Sequence, residues 1–301
     1  MNREEPVNQA GTPGPAIAER DSRARPPLEP MTGSSPALES DPVGTIVVGL
    51  GDTGHPADVL GLAQLLAEPL GAPLVLVHNE PREGPVVDAH SDPTVRLAQA
   101  DSPVDGLRQI AEQENAQLIV IGPSKPSGLG RLRPRSVGER LLSDARLPVA
   151  IAPRGYAEAE HSLSLVASAF DGSPESRGAL EWAERLTTNA AGRLRVISVH
   201  EPMPVTGLGF TAQSVEPGLR RDLKREQAAA IAVLDRSAEG VVRNGSPAGV
   251  LVEAAREADL LVMGSRGHGP LPAALLGGVA HYVIRRASCP VVIHPPRRSL
   301  P

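Results

Sequence analysis

The sequence predicts an α/β protein made of two tandem copies of one unit, and three observations carry that prediction. From Thr45 onward short β-branched runs alternate with helical stretches, the pattern of a parallel sheet with crossover helices. The same order of runs then recurs in the second half of the chain. The turn residues between the runs also match from one half to the other.

Along the chain, residues 1–42 are dense in Pro, Glu, Ser and Ala without helical or strand periodicity, and read as a disordered tail. The first unit, residues 43–154, holds apolar runs at Ile46–Leu50, Leu74–Val77, a weaker Val95–Ala98, Leu118–Ile121 and Val149–Ile151. The second, residues 163–296, holds them at Leu165–Phe170, Arg195–Val199, Gly240–Arg243, Leu260–Met263 and Val291–Ile293. That predicts five strands in each. Ser102-Pro103, Ser173-Pro174 and Ser246-Pro247 each precede a helical run. Serine there caps orphan N–H groups, and proline suits the first helical position because it lacks one. The segments Gly122–Ser136 and Gly264–Gly278 have equal length, and each leads through a short helix to Leu147-Pro148 or Cys289-Pro290 and a last strand. The polar stretch Arg154–Ser162, taken as the linker 155–162, separates the units, each expected to have its own core, and 297–301 is a short tail.

The most informative stretch runs from Met263 through Gly264, Arg266, Gly267 and His268 to Gly277, Gly278, Val279 and Ala280. It follows a buried strand and opens a helix. Gly264 and Gly267 are expected to permit special backbone geometry and close approach of a ligand, and the N–H groups at the helix start favour phosphate. In an open α/β sheet such a loop lies beyond the carboxyl ends of the strands, where ligands bind.

In these residues the chain resembles the universal stress protein family, whose ATP-binding members carry Gly-x2-Gly-x9-Gly followed by Ser or Thr, here Gly264, Gly267 and Gly277. The resemblance covers nearly all of Thr45–Pro295 as two copies, and extends to Ala169–Pro174, Gly245–Pro247 and Ala287–Ile293. It implies two Rossmann-like domains, each an open five-stranded parallel sheet of order 3-2-1-4-5 with helices on both faces, the last strands pairing domains or protomers. That leaves room for a homodimer as well as for pairing within the chain. It further implies an adenine nucleotide, ATP with or without Mg2+, with Asp171 approaching the adenosine, the backbone near Val199 meeting the base, and Ala169 and Phe170 among the nucleotide-binding residues. Met263, Arg266, Val279 and Ala280 match further positions lining that pocket, and Arg266 and His268 are candidates for phosphate contact.

The sequence also departs from the family pattern. Gly278 stands where the motif has a hydroxyl. In the first unit Gly122 and Ser136 are kept, but Lys125 and Arg135 replace the two later glycines, and Gly51 stands where Asp171 stands. Side chains at those glycine positions obstruct a backbone cradle while their charges attract phosphate, so the first unit reads mainly as a scaffold. Asp171 also has a plain reading as a turn former. His78 and His200 end second strands and read as structural, Cys289 reads as a buried packing residue, and the Arg220–Arg225 run, in a helical stretch after Glu216, reads as a solvated helix face.

Composition narrows the function further. A net charge of −5 with two Phe, two Tyr and one Trp supplies neither a general basic surface nor many stacking rings, which argues against nucleic-acid binding. No apolar run approaches the ~18 residues of a membrane span and no signal-peptide core follows the start, so a soluble protein without membrane partners is expected. One cysteine excludes an intramolecular disulfide, and no Cys/His spacing suggests a metal site, so a cytoplasmic protein is expected. Neither a Gly-x4-Gly-Lys-Ser/Thr loop nor a Gly-x-Ser-x-Gly elbow is present, so no catalytic residue is named. The expectation is a regulatory or signalling module acting in stress response, rather than an enzyme. A nucleotide-independent interaction protein and a slow ATPase are the alternatives.

Overall fold

The computed structural model describes residues 44–51, 55–79, 95–98, 100–122, 137–143, 145–202, 212–266 and 276–296. The first repeat runs β1 (Thr45–Gly49), α1 (Pro56–Leu70), β2 (Leu74–Asn79), β3 (Val95–Ala98), α2 (Pro103–Gln113), β4 (Ala116–Ile121), α3 (Val137–Ser143) and β5 (Val149–Ile151). The second runs β6 (Leu165–Ala169), α4 (Pro174–Asn189), β7 (Arg193–His200), α5 (Ala212–Ala232), β8 (Ala238–Asn244), α6 (Pro247–Ala254), β9 (Leu260–Gly264), α7 (Gly278–Ile284) and β10 (Val291–His294). Every apolar run named above lies in or at the end of a strand. The expected caps also form: Ser102, Ser173 and Ser246 accept the N–H groups of Asp105, Ser176 and Gly249. Helix α5 starts at Ala212, earlier than the Glu216 boundary suggested by its charge pattern, and its Arg220, Arg221 and Arg225 side chains are exposed as expected.

The strands form one ten-stranded sheet in the order β3-β2-β1-β4-β5-β10-β9-β6-β7-β8. Each half is parallel and has the order 3-2-1-4-5. The halves meet where β5 and β10 pair antiparallel, with Ala150 opposite Val292. Helices cover both faces, which is why the central strands are continuously apolar rather than alternating. Ile46, Val47 and Val48 in β1, and Leu260, Leu261 and Val262 in β9, are all fully buried.

The expectation of one core per repeat needs correction. The buried side chains divide by sheet face instead. One cluster takes Val47, Ile119, Ile151, Leu261 and Ile293 with α2, α3, α6 and α7. The other takes Ile46, Val120, Ala150, Val262 and Val292 with α1, α4 and α5. Because the sheet is continuous through the β5–β10 seam, side chains that alternate to one face join across both repeats.

The stretch expected as a polar linker is docked. Tyr156 is 5 % exposed, in a one-turn 3₁₀ helix at Tyr156–Glu158 packed on α1. The Asp58 carboxylate on α1, itself buried, accepts the N–H groups of Gly155 at 2.9 Å and Ala157 at 2.8 Å. Asn189 at the end of α4 donates to the carbonyl of Pro69 at 2.7 Å, and His281 on α7 lies 3.4 Å from Glu139 on α3. Both contacts tie one repeat to the other. Among the described residues no helix is long and apolar enough to cross a membrane.

Candidate functional site

At the carboxyl ends of β6, β7 and β9 the second repeat opens a cleft of about 450 Å³, within the usual range of small-molecule sites. It lies where neighbouring strands β6 and β9 send their connections in opposite directions, the switch point at which open α/β sheets bind ligands. Eleven of the thirteen residues singled out in this repeat line it: Ala169, Phe170, Asp171, Val199, Met263, Gly264, Arg266, Gly277, Gly278, Val279 and Ala280. Gly267 and His268 lie outside the described residues. So do Lys125, Arg135 and Ser136 of the first repeat, whose Gly122 follows β4 directly.

The β6 wall ends in a turn held from several sides. Asp171 Oδ1 accepts the N–H of Ser173 at 3.0 Å and its hydroxyl at 2.6 Å, so Asp171 is a turn former while it lines the cleft. Gly172 has φ +82°, the left-handed region that favours glycine. Arg177 on α4 donates to the carbonyl of Gly172 at 3.2 Å and to Glu226 on α5 at 2.7 Å, and its guanidinium stands 5.4 Å from the centre of the Phe170 ring. These contacts leave the exposed Asp171 at the rim on a backbone with little freedom.

The β7 wall follows from the strand period. Ile197, Val199 and Glu201 alternate to one side, so two apolar residues lead to a carboxylate at the mouth. Pro247 and Leu251, one helical turn apart on α6, close the apolar side with Met263. Beyond β9, the Ser265 N–H donates to the carbonyl of His294 at 2.9 Å, and the Ser265 carbonyl accepts the N–H of Gly277 at 3.0 Å. Gly277 is thereby placed as the N-cap of α7, with φ −64°.

Gly264 needs a different explanation from the one its motif suggests. Its φ is not in the left-handed region, and a Cβ there would fall 2.8 Å from Glu175 Cβ and 3.1 Å from Ser176 N. What demands glycine is the close approach of β9 to the first turn of α4. At Gly278, by contrast, a Cβ meets none of the described residues within 4 Å.

Charge is ordered across the cleft. Among its described lining residues, the carboxylates Asp171 and Glu201 stand beyond β6 and β7, and the guanidinium Arg266 stands beyond β9 beside the start of α7. One end therefore accepts hydrogen bonds and the other attracts anions, with an apolar floor between. Sequence reasoning missed Ser176, Ile197, Glu201, Pro247, Leu251 and Ser265. Two-residue steps from Val199 reach Ile197 and Glu201, and a four-residue step from Pro247 reaches Leu251. Cys289 is not among the cleft's lining residues: it is buried, and burial pushes its thiol up to about 12.

A family model for the universal stress protein family matches residues 87–153 and 166–295. A universal stress protein of Thermus aquaticus is 33% identical over 129 residues, covering 42% of this chain and 93% of that protein. One from Mycobacterium tuberculosis is 32% identical over 204 residues, covering 64% of this chain and 65% of the relative, just under two thirds of its length. Among solved structures, a putative universal stress protein of Pseudomonas aeruginosa superposes with a TM-score of 0.62 at 20% identity, over 85% of this chain and 94% of that one. One from Archaeoglobus fulgidus superposes with a TM-score of 0.53 at 20% identity, over 84% of this chain and 97% of that one. Both support the same fold.

Proposed function

Because this chain belongs to the universal stress protein family, we propose that it is a stress-response regulatory module whose second repeat holds an adenine nucleotide, ATP first among them. The observation that carries the reading is the charge order across the cleft, with Asp171 and Glu201 at one end, Arg266 at the other and an apolar floor between. A nucleotide has the complementary order. Its ribose hydroxyls and base amine are donors for the carboxylates, its base is a flat apolar body for Val199, Leu251 and Met263, and its phosphates are anions for Arg266 and the N–H groups beside Gly277.

The first repeat acts as scaffold. Gly51, two residues beyond β1, occupies the place that Asp171 holds two residues beyond β6, so the acceptor at that end is missing. The module works in the cytoplasm by presenting a nucleotide-dependent surface to other proteins, without a catalytic step of its own.

Calorimetric titration of the full-length chain with ATP, with and without Mg2+, tests this. A single site per chain is expected, with weaker binding of adenosine because it lacks the anionic end. Two equivalent sites would overturn the division of labour between repeats. Absence of binding by ATP, ADP and AMP alike would overturn the nucleotide reading itself.

A further inference from the structure

The turn that carries Asp171 is gripped from outside the cleft. Asp171 lines the cleft, whereas Gly172, Arg177 and Glu226 do not. One edge of the Arg177 guanidinium spans two elements: its Nε donates to the Gly172 carbonyl at 3.2 Å, and its Nη2 donates to Glu226 Oε1 on α5 at 2.7 Å. A Cβ at Gly172 would collide with that same carboxylate, so glycine at this position lets α5 close onto the turn. The grip therefore acts on the backbone of the residue next to Asp171.

Arg177 and Glu226 are each about half exposed, and an exposed ion pair usually contributes little because both side chains wander. Here both ends are fixed. Next to Glu226 stands Gln227, 2 % exposed, which shares its amide hydrogens among the carbonyls of Val196 and Val241 and Ser198 Oγ at 3.0–3.1 Å. At the other end the guanidinium stands 5.4 Å from the centre of the buried Phe170 ring, within reach of a cation–π attraction. The pair is a strut between α5 and the β6–α4 turn. Hydrogen bonds weaken steeply outside a narrow range of distance and angle, so a small shift of the turn changes what the Asp171 carboxylate can reach.

We propose that Arg177 and Glu226 are positioning residues for the cleft, holding the Asp171 carboxylate where a nucleotide's ribose meets it and setting affinity from α5 without touching the ligand. This rests on the nucleotide reading above and adds to it a control that lies outside the site.

The test is a mutant cycle in the full-length chain, with Arg177→Met, Glu226→Gln and Asp171→Ala alone and combined, titrated with ATP and with adenosine. Arg177→Met keeps the apolar stem and removes the strut, and is expected to lower affinity by about threefold to tenfold. Both ligands should lose by the same factor, because both carry the ribose that faces Asp171. Glu226→Gln keeps the side-chain volume and can still accept a hydrogen bond, so a loss of about twofold to fivefold in the same pattern is expected. In the Asp171→Ala background neither change should lower affinity further, since the group they position is gone. A merely structural role would give losses that multiply. If Arg177→Met does not fold, the Glu226→Gln cycle decides by the same criteria. Wild-type affinity in the folded variants, losses that multiply with Asp171→Ala, or a larger loss for ATP than for adenosine would each overturn the inference alone. A wild-type chain that binds neither ligand would overturn both readings together.

Discussion

Replacing Gly264 by alanine separates two explanations of a glycine that both point to the same residue. If glycine is there to let a ligand approach the backbone, Gly264→Ala should leave the ligand-free protein as stable as before and weaken only nucleotide binding. The packing predicts otherwise. The added methyl would sit 2.8 Å from Glu175 Cβ, 3.0 Å from the Glu175 carbonyl carbon and 3.1 Å from Ser176 N. Carbon atoms rest about 3.5–4.0 Å apart, so the first turn of α4 must retreat by roughly 0.7–1.2 Å. Two of the three atoms are backbone, and a side-chain rotation cannot clear them. That turn is held by the Ser173 cap on Ser176 and by the Asp171 bonds to Ser173. Overpacking of this kind costs about 1–3 kcal/mol. Equilibrium urea unfolding of ligand-free protein should therefore show a loss in that range at unchanged m-value. Nucleotide affinity should fall as well, because the retreat drags Asp171 with it. A ligand-free variant with the wild-type midpoint would refute the packing argument.

Four further outcomes are expected. Gly278→Ser should fold with stability within about 0.5 kcal/mol of wild type, since a Cβ there meets none of the described residues within 4 Å. By calorimetry it should bind ATP up to about a hundredfold more tightly, with a smaller gain for AMP, and equal gains would refute a phosphate contact at that position. Asp171→Ala should cost about 1 kcal/mol in urea unfolding through the lost Ser173 bonds and lower ATP affinity by about tenfold or more, and unchanged affinity would remove Asp171 from the site. Asp58→Ala leaves the N–H groups of Gly155 and Ala157 without their acceptor, for an expected loss of about 2–4 kcal/mol, and a loss below about 0.5 kcal/mol would mean that the docked turn does not hold the repeats together. Burial raises the Cys289 thiol from 9.0 to about 12, so its contribution to stability is complete below pH 9.0 and is lost as pH rises toward about 12, when the unfolded thiol ionises first. Stability measured from pH 8 to 11 should fall less steeply in Cys289→Ala than in wild type, and identical slopes would contradict the burial argument.

The amino-acid sequence by itself determined the features that depend on near neighbours. Strands such as Leu260–Gly264 follow from their apolar, β-branched runs, and helix starts such as Ser173-Pro174 from the chemistry of orphan N–H groups, so ten strands and the Ser caps were legible without a partner in view. Most of the candidate site was legible for the same reason: Asp171, Met263 and Arg266 sit at or just past strand ends, and a strand end in a parallel sheet has a known side. The tertiary structure decided everything that depends on what a residue meets across the chain. Antiparallel pairing of β5 with β10 made the sheet continuous and so divided the core by face rather than by repeat. Contact with α4 decided why Gly264 must be glycine, and the approach of Gly155 and Ala157 to Asp58 turned a polar linker into a docked one. Glu201 became a cleft residue only once β7 was seen to end beside β6, and that the buried Ser265 hydroxyl has no partner among the described residues is a fact of the folded chain alone. Periodicity and capping act over a few residues and are written locally, whereas these contacts join segments dozens of residues apart, and no local pattern records which ones will meet.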